Sequence, residues 1–175
     1  SILRALGREP LRTGRILNVL YPVLCDLLGS PVLYLSRYIN QNKARYYELL
    51  QAVRDDGHWE DWLLFMLDAV EQTAAQTTQL VYGIKELMQQ YKETLRAQRP
   101  KVYSQDLLNN LFWHPYTKVE FVQLELAVSR PTATKYLETA VELGLLSKHR
   151  MGKENLYLND ALFELLANAA QVDNV

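Results

Sequence analysis

The chain has 175 residues, 49% hydrophobic and 22% charged, with few Gly and Pro, a globular composition that excludes disordered, fibrous and low-complexity classes. Nineteen Lys and Arg against 20 Asp and Glu leave a net charge of -1. A whole-molecule polyanion binder is therefore not indicated, and any nucleic-acid role must come from a local patch.

In chain order, apolar residues first recur at three- and four-residue steps from Arg12 through Ile16, Leu17, Leu20, Leu24, Leu27 and Leu28, which predicts a helix stopped by Gly29 and kinked or broken at Pro22. Cys25 sits between apolar neighbours in this stretch, and as a lone cysteine it suits a packing role in a reducing cytoplasm. After a Ser30-Pro31 turn, Ser36 is the expected cap of a helix burying Tyr46, Tyr47, Leu50 and Val53. Asp55-Asp56-Gly57 reads as a turn. From Trp59 to Leu95 a helical stripe runs through Trp62, Leu63, Met66, Leu67, Val70, Val81, Ile84, Leu87 and Tyr91. It predicts one long helix, or two with a bend near Gln76 or Gly83. Arg99-Pro100-Lys101 ends it.

Beyond that boundary Ser104 caps a short helix through Leu107, Leu108 and Leu111, stopped at His114-Pro115, where His114 is expected to cap carbonyls. Thr117 and Glu120 have the spacing of a capping box opening a helix with Phe121, Val122 and Leu124. Ser129 caps a third helix, with Pro131 in its first turn, that runs to Gly144. Alternation then replaces helical period: Leu145 and Leu146, a polar tip around Gly152, and Leu156-Tyr157-Leu158 predict a hairpin. Asn159 caps a last helix carrying Leu162, Phe163, Leu165 and Leu166, and the tail from Asp173 frays. Three helices and a hairpin in this order are the plan of a winged helix-turn-helix. The expected fold is mainly α, with an atypical leader over 1–11, a helical portion over 12–99 and a winged helix over 100–172.

Residues Arg12-Thr13-Gly14-Arg15-Ile16-Leu17-Asn18-Val19-Leu20-Tyr21, then Pro31 to Ser36, Asn42-Lys43, Tyr46-Tyr47 with Leu50, and Trp59 with Trp62 closely resemble the C-terminal half of a Fic domain. The resemblance continues through the long helix into the winged helix that many bacterial Fic proteins carry. It implies a partial Fic-type helical bundle and a link to protein adenylyltransferases, which move AMP from ATP with Mg²⁺ onto a target hydroxyl. Arg12, Gly14 and Arg15 then stand where the family contacts phosphates, at a helix start whose amides and guanidiniums suit that role. Without the resemblance, the two arginines read as solvated side chains. Tyr46 and Tyr47, with Tyr38, fall where the resemblance places the nucleotide cleft, whereas their chemistry alone suits core packing.

The signature His-Pro-Phe-x-Asp-Gly-Asn-Gly is missing. Arg4 stands at the position of its catalytic His, Arg8 at that of its metal-binding acid, and Glu9-Pro10-Leu11 at that of its glycine turn. The general base, the Mg²⁺ carboxylate and the close backbone approach to phosphate are thereby lost. No catalytic residue is expected in this chain, nor a metal site, since His58, His114 and His149 are scattered with no second ligand at binding spacing. The first residue is Ser, which suggests a trimmed or partial chain.

For the winged module, Arg130, Thr132, Lys135, Arg150 and Lys153 are candidate DNA-contacting residues, early on the third helix and on the wing. Three readings follow: a Fic-related chain that does not catalyse transfer, a duplex-DNA-binding regulator, and a scaffold partner of a complete Fic protein. Dimer packing through the wing is a further use of the same surface. No apolar run approaches the roughly 18 residues of a membrane span, so a cytoplasmic protein without membrane contact is expected.

Overall fold

The computed structural model describes residues 24–26, 34–152 and 154–171. Backbone contacts divide the chain into two units, one ending at Gln79 and one beginning at Leu80. The predicted helix from Arg12 to Leu28 and the tail from Asp173 lie outside the described residues, apart from Leu24 to Asp26. Cys25 is exposed rather than packed.

In the first unit, α1 (Ser36–Gln41) and α2 (Lys43–Asp56) meet at Asn42. Ser36 is the first helical residue, and Leu35 occupies the cap position without a side-chain bond. The break falls at Asn42, whose Nδ2 donates to the Tyr38 carbonyl at 3.0 Å. A short amide side chain that bonds nearby backbone competes with the helix ladder. Gly57 ends α2 with φ 71°, a left-handed conformation that glycine adopts without steric penalty. Leu35, Ile39, Tyr46, Leu49, Phe65 and Ala69 form the core, with Tyr38, Leu50, Trp62 and Met66 against it. Tyr47, predicted to be buried, is 42% exposed, and Leu49 takes the inward position.

Helix α3 (Trp59–Gln98) runs 40 residues as one element, without interruption at Gln76 or Gly83. Trp59, Leu63, Leu67, Val70 and Val81 of the predicted stripe are exposed. The buried positions are Phe65, Ala69, Thr73, Tyr91 and Leu95. The hydrophobic pattern on this helix is broader than the face it buries.

The second unit continues with α4 (Gln105–Trp113), β1 (Tyr116–Thr117), α5 (Val119–Leu126), α6 (Arg130–Glu142), β2 (Ser147–Met151), β3 (Glu154–Leu158) and α7 (Asp160–Gln171). Three predicted caps hold: Ser104 Oγ accepts from Leu107 N, Ser129 Oγ from Thr132 N and Asn159 Oδ1 from Leu162 N. The predicted cap at Thr117 does not. Lys118 occupies that position, because Thr117 is drawn into β1 opposite Tyr157 and its hydroxyl donates to Asn110 Oδ1. The sheet is therefore three-stranded, in the order β1-β3-β2, all antiparallel. His114 stacks on Tyr116 at the end of α4. Leu107, Leu108, Leu111, Val122, Ala133, Leu137, Ala140, Leu145, Leu146 and Tyr157 close the core around Tyr91 and Leu95. Phe121, Leu124 and Phe163 of the predicted apolar faces are exposed.

Candidate interaction surface

Helix α6 has two faces. Ala133, Leu137 and Ala140 point into the core, which leaves Arg130 and Lys135 exposed and Thr132 half-buried. Ser129 and Pro131 set the start of this helix: the hydroxyl takes an otherwise unpaired amide, and the ring pre-sets the first-turn φ. Thr132 Oγ1 lies 2.9 Å from Ser129 Oγ, so its hydroxyl is already engaged at the cap.

The hairpin is tied to α6 by one carboxylate. Glu138 Oε1 accepts from Lys148 Nζ at 2.6 Å and from Tyr157 Oη at 2.7 Å. These two bonds, that from Lys148 first, hold the Glu138 carboxyl below the usual range, while burial and the same carboxylate push the Tyr157 phenol up. Lys118 Nζ donates to Glu154 Oε2 at 2.6 Å, fastening the start of α5 to β3. The bond lowers the Glu154 carboxyl, to which Arg130 adds a smaller effect, and raises Lys118. Behind this surface Asn110 Nδ2 donates to Glu125 Oε2 at 2.7 Å.

This pairing decides which cations near α6 and the hairpin are left unpaired. Lys148 is neutralised by Glu138 and Arg130 lies in the field of Glu154. Lys135 and Arg150 are exposed and carry no ion pair among the described residues. Lys153 lies outside the described residues, as do Arg12, Gly14 and Arg15. Tyr46 is buried, with its ring 5.1 Å from Trp62 and 5.3 Å from Tyr47. The Tyr46 environment is that of a core aromatic.

A second feature was not read from the sequence. Gln98, Arg99, Pro100, Lys101 and Val102, the turn that leaves α3, face Lys135, Glu138, Thr139 and Glu142 of α6 across a cleft of about 540 Å³. Arg99 reaches Glu142 at 3.8 Å. The signal available was a pair of cations flanking Pro100, which reads equally well as a helix boundary. Among the described residues no group of three or more His, Cys, Asp or Glu is placed to hold a metal ion, and no helix is long and apolar enough to cross a membrane.

Residues 87–162 match the family model of the C-terminal domain of SoFic-like protein adenylyltransferases. The match begins in the last third of α3 and ends in the first turn of α7, so it takes in α4, β1, α5, α6 and the hairpin. Over this segment the chain is similar to the C-terminal domain of Fic-related proteins.

Proposed function

We propose that the chain is a Fic-related protein whose residues 100–172 form a winged-helix module that contacts a protein, and that it does not itself transfer AMP. The observation that carries this reading is the match over 87–162, which falls on a helix–strand–helix–helix–hairpin order. The resemblance upstream supports the rest: Arg12, Gly14 and Arg15 occupy its phosphate-contact positions, while Arg4 and Arg8 stand where a base and a metal ligand are needed. ATP and Mg²⁺ belong to the complete family's reaction, and the protein contacted is a complete Fic protein or its target.

Two features favour protein over duplex DNA. Lys118 at the start of α5 and Lys148 on β2 are paired with Glu154 and Glu138, and Met151 at the hairpin tip is exposed. Incubation with radiolabelled ATP and Mg²⁺ tests the enzymatic part: no label should appear on the chain, and labelled chain overturns the reading.

Duplex DNA is the second reading, favoured by the exposure of Arg130 and Lys135 along α6 and of Arg150 on β2. In it the first turns of α6 enter a major groove and Arg150 meets phosphate. A gel-shift titration at low salt decides it. Binding that weakens in Arg150→Ala and Lys135→Ala establishes the DNA role, and an unshifted duplex removes it.

A further inference from the structure

We propose that the cleft between the Gln98–Val102 turn and the outer face of α6 binds a small phosphoryl-bearing ligand. This inference goes beyond the partner-contact reading and stands whether the module meets protein or DNA. The cleft, at about 540 Å³, falls within the usual size of small-molecule sites, about 300–1,000 Å³. Its lining combines three cations, Arg99, Lys101 and Lys135, with the apolar surface of Pro100 and Val102.

The two acids on the wall do not cancel these cations. Glu138 is committed to Lys148 and Tyr157. Glu142 meets Arg99 only at 3.8 Å, between side chains that are each half exposed or more. Such a contact is weak and readily exchanged for a better acceptor. Lys101 and Lys135 have no ion pair among the described residues. The cleft therefore presents more positive charge than it satisfies.

Thr139 is the independent observation. It is 7% exposed yet lines the cleft. Thr77 and Thr94 return their hydroxyls to carbonyls four residues back, at Thr73 and Gln90. The Thr139 hydroxyl has no such bond and no other partner among the described residues. A buried hydroxyl left unpaired carries a desolvation cost that a bound acceptor would remove.

Three cations and a hydroxyl donor exceed what the two oxygens of a carboxylate can use, and they match the several acceptor oxygens of a phosphoryl group. Arg99 would supply the two-pronged contact, Lys101 and Lys135 point charges, and Thr139 a donor at the floor. Pro100 and Val102 would carry an apolar or flat remainder of the ligand.

The test is titration of the full chain, followed by heteronuclear NMR, with inorganic phosphate, phosphoserine, AMP and, as the carboxylate control, acetate. Phosphate is expected to shift the amides of residues 99–102 and 135–139 saturably, and acetate to leave them in place. Lys101→Ala and Lys135→Ala, both at exposed positions, should each weaken binding at least fivefold. Thr139→Val, close in shape, should weaken it by a similar factor, and Lys85→Ala on α3 should not. Tighter binding of phosphoserine assigns the site to a modified side chain, tighter binding of AMP to a nucleotide, and equal binding to the free anion. Non-saturable shifts, equal response to acetate, or affinity indifferent to Lys101→Ala and Lys135→Ala would overturn the proposal.

Discussion

Asn159 is the residue on which the second unit's polar interior converges. At 1% exposure it donates through Nδ2 to the Leu111 carbonyl at 3.1 Å and accepts at Oδ1 from Leu162 N at 3.1 Å and from Tyr91 Oη at 2.8 Å. One side chain thus joins the end of α4, the start of α7 and the last third of α3. The capping role was legible, because Asn followed by an apolar helical run is a local signal. The reach to Tyr91 was not, since 68 residues separate the pair and no local pattern encodes it. Asn159→Ala removes the cap, worth about 1 kcal/mol, and strands a buried carbonyl at a further cost of about 1–3 kcal/mol. The urea midpoint, followed by circular dichroism, should fall accordingly. Tyr91 also sets an alkaline limit. Burial, with the Asp160 charge second, pushes its phenol up to about 12, above the unfolded value of 10. The folded chain then holds a proton that the unfolded chain gives up, so this stability is complete below pH 10 and is lost as pH rises towards 12. Denaturation curves at several pH values should show that decline. Tyr91→Phe should lessen it without abolishing it, because Tyr157 is raised as well.

At the scale of elements, Gly83 shows how one residue supports two opposed readings. Glycine inside a helical stripe signals a bend or a close approach, and sequence alone does not choose between them. Helix α3 passes straight through the position, and a Cβ there would meet Leu165 Cδ1 of α7 at 2.9 Å. The glycine therefore admits α7 against α3. Gly83→Ala gains up to about 1 kcal/mol of helix propensity and displaces only the tip of a flexible leucine, so its melting temperature should stay close to that of the parent. Gly83→Val adds branched bulk at the contact and should destabilise by about 1–3 kcal/mol, read as a lower melting temperature. Strand β1 was illegible for a different reason. Two residues are too few for alternation to register, and the pairing that makes them a strand, Tyr116 with Leu158 and Thr117 with Tyr157, lies some forty positions downstream. Thr117 accordingly looked like a cap, because the local pattern of Thr followed by Glu120 was intact while its backbone was already engaged elsewhere.

Charge is legible as a total and illegible as a pattern of pairs. The sequence puts candidate DNA-contacting cations early on α6 and on the hairpin, but Glu138 with Lys148 and Glu154 with Lys118 pair neighbouring cations that a polyanion would otherwise meet. These partners are 10 and 36 residues apart and come together only through the hairpin. The consequence for the two partner readings is quantitative. The cations that the sequence offers a duplex are Arg130, Lys135, Arg150 and Lys153, and each phosphate neutralised contributes about −0.9 to the slope of log K against log salt. Any duplex binding should therefore show a slope no steeper than about −4. Fluorescence anisotropy with a labelled duplex across a salt series measures it. A markedly steeper slope would mean that Lys118 and Lys148 leave their carboxylates for phosphate, which would shift the balance from a protein-contacting surface to a nucleic-acid one. A shallow slope with weak affinity at low salt agrees with cations held in internal pairs, and leaves the hairpin and α6 to a partner recognised by shape and apolar contact rather than by charge.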